Sequence, residues 1–261
     1  MQKVKILITG GNGYVATSLL KGLKDKHEIV SINRNTFDLT DSYATNQWFK
    51  DKYFDVVIHT AINGGRRTKI DDDDVKQNNL DMYYNLISNR SRYDKFISFG
   101  SGAEIYLDYA PYGKSKKIIA EDIKTRHNFF NIRIFGVFDE NELDNRFIKA
   151  NLIRYIKKES MIIHMNKVMD FFYMQDLVNL VDHYIAHDDL QKEINCCYDE
   201  KYTLVGIAKL INRLDKYNVP IVLQNDSKLD IYSEQTMEFP IKLVGLPKGI
   251  ELTYNKLLDN L

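Results

Sequence analysis

The feature that most constrains this chain is a turn. The β-branched and apolar run from Val4 to Thr9 stops at Gly10-Gly11-Asn12-Gly13, and helical spacing starts at Tyr14 and continues to Lys24. A strand that passes into a helix through so short a loop needs glycine for the sharp turn. Glycine also lets a phosphate approach the backbone, with the helix amides pointing at the anion. Gly10, Gly11, Asn12, Gly13, Tyr14 and Val15 are therefore the expected phosphate-binding residues of a dinucleotide. Ala16 takes the place of a third glycine, and its small side chain still admits close helix-strand packing.

The rest of the first half keeps the same rhythm. An apolar run over 28–33 precedes a helix over about 41–52 that opens on a Thr40 or Asp41 cap, and a third strand covers 54–59. A helix over 72–90, a strand over 95–99, a helix over 112–126 and a strand over 130–135 continue the alternation. The spacing predicts an α/β fold, a Rossmann-type doubly wound parallel sheet with helices on both faces. Beyond about Gly136 the pattern loosens. Helices are expected over 145–158, 176–187, 202–214 and from about 254, with short strands over 161–164, 170–173 and 219–223. The expected organisation is a dinucleotide-binding domain over 1–136, with returning segments near 160–190, and a small mixed C-terminal lobe, mainly 137–261, that binds substrate.

Charge and composition exclude several classes of partner. Lys plus Arg and Asp plus Glu each total 36, so no net field draws the chain to nucleic acid or to an anionic membrane. No apolar stretch approaches the roughly 18 residues of a membrane span, and Met1 leads straight into a β-rich run, so a cytoplasmic location is expected. Tyr83-Tyr84 and Phe171-Phe172-Tyr173 have no basic track beside them and read as core and pocket wall rather than a stacking surface. Cys196 and Cys197 are adjacent and read as buried small hydrophobes, and the six histidines lack ligand spacing, so no metal is expected. His59, at a strand end, reads as packed or near the cofactor. The acidic run 71–74 reads as a solvated helix start that complements the helix dipole.

The second strand ends about 20 residues after the glycine loop, where an NAD enzyme presents a carboxylate to the adenosine ribose. Asn33 and Arg34 stand there instead. With no carboxylate to repel a 2′-phosphate and a guanidinium able to grip one, NADP(H) is favoured and NAD(H) stays possible. The competing reading of Arg34 is an ordinary surface arginine. Asp38, before Leu39, is placed to accept a bond from the adenine amino group or to serve only as a turn residue.

Tyr112 and Lys116 lie four residues apart, so on a helix both project from one face. A tyrosine that donates a proton to a carbonyl needs a pKa below its usual value of about 10, and a fixed neighbouring cation stabilises the phenolate. This pair opens the helix after the fourth strand, at the sheet edge where an open α/β fold places ligands. Ser101, just upstream, is the expected partner of the carbonyl oxygen, with Ser98 the competing and more strand-internal candidate.

These motifs resemble one superfamily along nearly the whole chain. TGGNGYVA at 9–16, VVIHTA at 56–61, QNN at 77–79, SFGSGAEIY at 98–106, YGKSK at 112–116, NIRIFGVF at 131–138 and MDFFYMQDLV at 169–178 are similar to the extended short-chain dehydrogenase/reductases. These make up the NAD-dependent epimerase/dehydratase family, and within it the HTAINGG run at 59–65 and the QNN segment most resemble the GDP-fucose synthase type. The resemblance implies that Tyr112 is the general acid/base, that Lys116 tunes it and holds the nicotinamide ribose, that Ser101 binds the carbonyl and that Asn78 supports the site. It adds Leu39, Thr60 and Ala61 to the cofactor contacts and leaves Arg133 and Asp176 as structural residues.

Where such synthases carry a cysteine and a histidine for double epimerisation, this chain has Ala103 or Glu104 and Asn145-Arg146. Where dehydratases carry Thr-Asp-Glu, it has Ser101-Gly102-Ala103. The family arginine near residue 169 is Met169, and Arg146 is the candidate substitute for a diphosphate contact. The resemblance thus implies an NAD(P)H-dependent reductase of a nucleotide-linked 4-keto-6-deoxysugar, working as a homodimer. An NAD-retaining 4-epimerase is the alternative, and a non-catalytic dinucleotide sensor stands behind both.

Overall fold

The structure is a computed structural model that describes residues 3–65 and 70–259. Its first half runs β1 (Lys5–Thr9), α1 (Tyr14–Leu23), β2 (Glu28–Ile32), α2 (Ser42–Phe49), β3 (Phe54–His59), α3 (Asp74–Ser88), β4 (Tyr93–Ser101), α4 (Ala103–Tyr106), α5 (Pro111–Thr125) and β5 (Phe129–Ile134). The second half runs β6 (Val137–Phe138), α6 (Phe147–Ile156), β7 (Met161–Met169), β8 (Phe172–Tyr173), α7 (Met174–Ala186), β9 (Glu193–Cys196), α8 (Leu204–Ile211), β10 (Ile221–Tyr232) and α9 (Leu246–Leu258).

A six-stranded sheet has the order β2-β1-β3-β4-β5-β9, and β1 pairs parallel with both β2 and β3 while β3 pairs parallel with β4. This is the doubly wound α/β sheet that the alternation predicts. The chain leaves β1 toward one edge and returns on its other side at β3, so the order reverses there. Such a reversal opens a crevice at the carboxyl ends of the strands. β1, β3 and β4 are almost wholly buried, as strands covered on both faces must be. One core cluster joins Leu7, Phe49, Phe54, Val57, Tyr83, Phe96, Ile119, Ile123 and Phe129, with the Phe96 and Phe129 rings stacked at 4.9 Å. Each fully buried aromatic of this kind contributes about 2–3 kcal/mol.

The chain divides into two compact units, residues 1–133 with 178–194, and residues 134–177 with 195–261. The returning segment of the first unit is thus later and shorter than the expected 160–190. Lys95 anchors it. Its ammonium, on a residue 5% exposed, donates to the carbonyls of Tyr184, Ile185 and His187 at 2.9, 3.2 and 2.6 Å, which caps the carboxyl end of α7.

In the second unit β7 pairs with β10 and β6 with β8, both parallel. Asp176, fully buried, accepts from the Tyr198 hydroxyl at 2.5 Å and from the amides of Val244 and Gly245 at 2.8 and 3.1 Å. That network fixes the approach to α9, consistent with a structural role.

Several elements differ from expectation. α9 begins at Leu246 rather than near 254, because Pro247 and Gly249 look like breakers in sequence. Proline costs nothing in a first helical turn, and Gly249 is needed where a Cβ would lie 2.9 Å from the Tyr173 ring. β9 and α4 are too short to show periodicity, and β10 extends to twelve residues across an irregular register between Asn225 and Asp230. Cys196 and Cys197 are fully buried and form no disulfide among the described residues, and burial pushes the Cys197 thiol far up.

Lys95→Met keeps the apolar stem and strips the cap from buried carbonyls. It is expected to lower the unfolding free energy by about 3 kcal/mol, read as a reduced midpoint in urea denaturation at unchanged slope.

Candidate active site

Helix α5 opens on Pro111, which fits a first helical position, and carries Tyr112 and Lys116 one turn apart. Lys116 is 7% exposed, and its Nζ donates to the Phe99 carbonyl of β4 at 2.5 Å while lying 5.9 Å from the Tyr112 ring centroid. Burial pulls the ammonium pKa down to about 8, against the opposing pull of the Glu104 carboxylate. The cation that the spacing predicts beside the phenol is therefore present and only partly solvated.

Two glycines bring the backbone close around this pair. At Gly113 a Cβ would fall 2.0 Å from the Leu107 carbonyl oxygen and 2.7 Å from that of Ala103, so only glycine lets α4 lie against α5. At Gly65, where φ is +69°, a Cβ would meet the Tyr112 ring at 2.8 Å. The short link from Ser101 to Tyr112 is thus a one-turn helix pressed onto α5.

Ser101 ends β4, partly exposed, with its Oγ accepting from the Ala103 amide at 3.1 Å. Ser98 is 1% exposed and sits in register with His59, as expected of a packed strand residue. His59, 3% exposed, shares a 2.9 Å bond between Nδ1 and Thr9 Oγ1. Burial first, and the Lys116 charge second, drop its pKa to about 3, so the imidazole is neutral. Thr60 Oγ1 donates to the Thr9 carbonyl at 2.5 Å and the Ala61 amide donates to Thr9 Oγ1 at 3.2 Å, which binds the ends of β1 and β3 together.

The glycine loop has the geometry a pyrophosphate needs. Gly10 adopts φ +68°, and a Cβ there would lie 2.7 Å from Ala61 Cα. The Gly11 amide donates to the Ile32 carbonyl at 2.9 Å and the Gly13 amide to Gly10 at 2.8 Å. Gly13 is the N-cap of α1 and offers no side-chain cap, which leaves the helix dipole to an anion. These features fit a dinucleotide held by Gly10 to Val15.

At the far end Asn33 Nδ2 donates to Asn12 Oδ1 at 3.1 Å, linking the end of β2 to the loop, and Arg34 is exposed. Asp38 Oδ1 accepts from the Thr40 amide at 2.9 Å and its hydroxyl at 2.8 Å. Those bonds, with a smaller pull from Arg34, hold its carboxyl below the usual range. Asp38 is therefore a turn residue in this structure, whatever else it contacts, and Leu39 beside it is buried.

Two residues matter more here than the sequence suggests. Asn79, not the neighbouring Asn78, is the buried member of the QNN segment. Its Nδ2 donates to Ser115 Oγ and to the Asn63 carbonyl, both at 3.0 Å, and its Oδ1 accepts from the Asn63 amide at 2.8 Å. It ties α3 and the segment after β3 to α5, whereas Asn78 is partly exposed. Helical phase distinguishes the two, since Asn79 follows Val75 by four residues and precedes Met82 and Tyr83, all on the buried face. Glu104 is the second, buried on α4 with Arg133 as its ion-pair partner. In the second unit Arg146 is the N-cap of α6, its side chain 47% exposed and its Nε 3.6 Å from Glu142, while Met169 is buried.

A sheet whose first turn is shaped for a dinucleotide, and whose fourth strand meets a serine, a tyrosine and a buried lysine, defines a nicotinamide-dependent enzyme. The chain belongs to the NAD dependent epimerase/dehydratase family, whose model matches residues 6–197. CDP-abequose synthase of Yersinia pseudotuberculosis is 20% identical over 246 residues, covering 84% of this chain and 87% of that protein. Among solved structures, a GDP-mannoheptose C4 reductase from Campylobacter jejuni with NADP bound superposes with a TM-score of 0.79 at 19% identity, over 99% of each chain. A UDP-N-acetylglucosamine 4-epimerase from Methanobrevibacter ruminantium gives 0.82 at 16% identity over the full length of both.

Gly10→Ala combines a strained φ with a backbone clash at Ala61. Nicotinamide dinucleotide affinity, followed by fluorescence titration, is expected to fall by about two orders of magnitude or more.

Proposed function

We propose that this protein reduces a nucleotide-linked 4-keto-6-deoxysugar, with hydride delivered to C4 and a proton supplied by Tyr112. The observation that carries the reading is the buried Lys116 ammonium, held by Phe99 within reach of the Tyr112 ring. The nicotinamide cofactor supplies the hydride. As charge grows on the carbonyl oxygen, Ser101 donates a hydrogen bond to it and Tyr112 transfers its phenolic proton. Lys116 stabilises the phenolate that remains and holds the nicotinamide ribose. The neutral His59 adds no charge and leaves Lys116 as the cation that tunes the phenol.

The names of the similar proteins support a nucleotide sugar as substrate, since they act on CDP-, GDP- and UDP-linked sugars. Arg146 is the proposed contact to its phosphates, and Asn78, Thr60 and Ala61 are proposed cofactor contacts with the loop residues. Arg34, exposed and without an acidic neighbour at position 33, supports NADP(H) over NAD(H). A homodimer is proposed on the resemblance to the superfamily.

A second reading is an epimerase that oxidises and re-reduces C4 with retained NAD, favoured by the end-to-end similarity to the UDP-N-acetylglucosamine 4-epimerase. The discriminating assay incubates the protein with GDP-, dTDP-, UDP- and CDP-linked 4-keto-6-deoxysugars and NADPH or NADH, following loss of the reduced-nicotinamide absorbance. The reductase oxidises NADPH with at least one of them, and Tyr112→Phe lowers that rate by about 10²- to 10⁴-fold. No oxidation with any, in a protein that co-purifies with NAD, contradicts the reductase and favours the epimerase. Arg34→Ala is expected to lower the NADPH over NADH preference by about tenfold in kcat/KM.

The pH dependence follows from Lys116. Its charged form is the active one, and burial has brought its pKa down to about 8. kcat/KM for reduction is therefore expected to be flat below that pH and to fall about tenfold per unit well above it.

A further inference from the structure

We propose that Glu104 is a positioning residue whose carboxylate is the buried counter-charge of Lys116, keeping that lysine an ammonium while α4 is locked against the catalytic helix. The inference rests on the reductase reading only for its kinetic consequence. The geometry stands without it.

Glu104 has a side chain 3% exposed and follows Ser101 by three residues. Its Oε1 is ion-paired with Arg133 Nε and accepts from Asn131 Nδ2 at 3.3 Å. Its Oε2 is buried with no hydrogen-bond partner among the described residues. A buried carboxylate with one unsatisfied oxygen is costly to keep. Arg133 does not by itself account for that cost, because its Nη2 also pairs with Glu193 at 2.7 Å. Glu193 is in turn reached by Lys124 at 3.0 Å from a half-exposed position.

The charge count identifies what Glu104 is for. Around this point the poorly solvated cations are Lys116 and Arg133, and the carboxylates are Glu104 and Glu193. Glu193 lies beside Arg133, while the hydrogen bond of Lys116 goes to a carbonyl rather than an acid. Removing Glu104 leaves two enclosed cations and one carboxylate.

The groups facing Lys116 are His59 from β3, neutral, Tyr112 from α5 and Glu104 from α4. Those facing Glu104 are Arg133 and Asn131 from β5, Glu193 from β9 and Lys116. A chain of contacts runs between the two charges. Lys116 bonds to Phe99 O, Gly100 packs on the Asn131 amide so closely that a Cβ would lie 2.6 Å from its oxygen, and that amide donates to Glu104. Burial raises the Glu104 carboxyl above its usual range, and the Arg133 guanidinium beside it opposes that rise. The same acid raises the affinity of Lys116 for its proton.

The test is a pH titration of the Lys116 13Cε resonance in the full chain, assigned by its loss in Lys116→Arg. In Glu104→Gln, which keeps size and a hydrogen bond to Arg133 but removes the charge, the midpoint is expected to drop by about half a pH unit or more. The alkaline limb of kcat/KM is expected to move down with it, and Glu104→Asp to restore both in part. A purely structural glutamate lowers stability or kcat without moving the midpoint, and unchanged midpoints in folded Glu104→Gln overturn the proposal.

Should that variant not fold, the wild-type Glu104 13Cδ resonance decides. It is expected to show an inflection at the Lys116 midpoint, and none overturns the coupling. Neither titration needs a substrate, so a protein that reduces no sugar nucleotide sinks the reductase reading and leaves this result standing on its own.

Discussion

An ammonium drawn out of water against a strand carbonyl, Lys116 Nζ on Phe99 O at 2.5 Å, is the interaction on which the rest of this site depends. A lysine enclosed to this degree gives up much of its hydration and tends to lose its proton. The surrounding elements are arranged so that it does not. Glycine at 113 lets α4 close over α5, and α4 brings a carboxylate into the same interior. Asn79 holds α3 to α5 through Ser115, so the helix that carries Tyr112 and Lys116 is fixed by side chains from two neighbours.

The same economy explains the chemistry. A loop of three glycines at the end of β1 and the helix α5 that carries Tyr112 and Lys116 meet along one sheet edge because the strand order reverses between β1 and β3. Thr9 stitches that edge by bonding His59, Thr60 and Ala61 at the end of β3. His59 stays neutral in this setting, and Lys116 is the cation that lies over the Tyr112 ring.

Much of this is legible in the sequence. The β-α alternation to residue 135 gives β1 to β5 of the sheet, and Tyr112, Gly113 and Lys116 lie where the spacing puts them, at the start of the long helix between β4 and β5. What escapes is what depends on contacts across the fold. The choice between Asn78 and Asn79 is made by helical phase against a core that a motif does not reveal. Glu104 looks like a replacement for a residue of other relatives until Arg133, 29 residues further along the chain, is found beside it. The beginning of α9 is hidden by Pro247 and Gly249, whose helical position becomes intelligible only once Tyr173 is packed on the glycine. Short elements such as α4 and β9 lack the length over which periodicity can speak.

The central claim is that Tyr112 and Lys116 support net hydride transfer to a sugar carbonyl. The most direct measurement follows the label from NADPH deuterated at the transferring C4 position of its nicotinamide into the sugar nucleotide, analysed by mass spectrometry and NMR. The account predicts one deuterium per product molecule, placed at C4 of the sugar, with an equal amount of cofactor oxidised. An isomerised sugar free of deuterium, with the cofactor returned in its starting redox state, would contradict it.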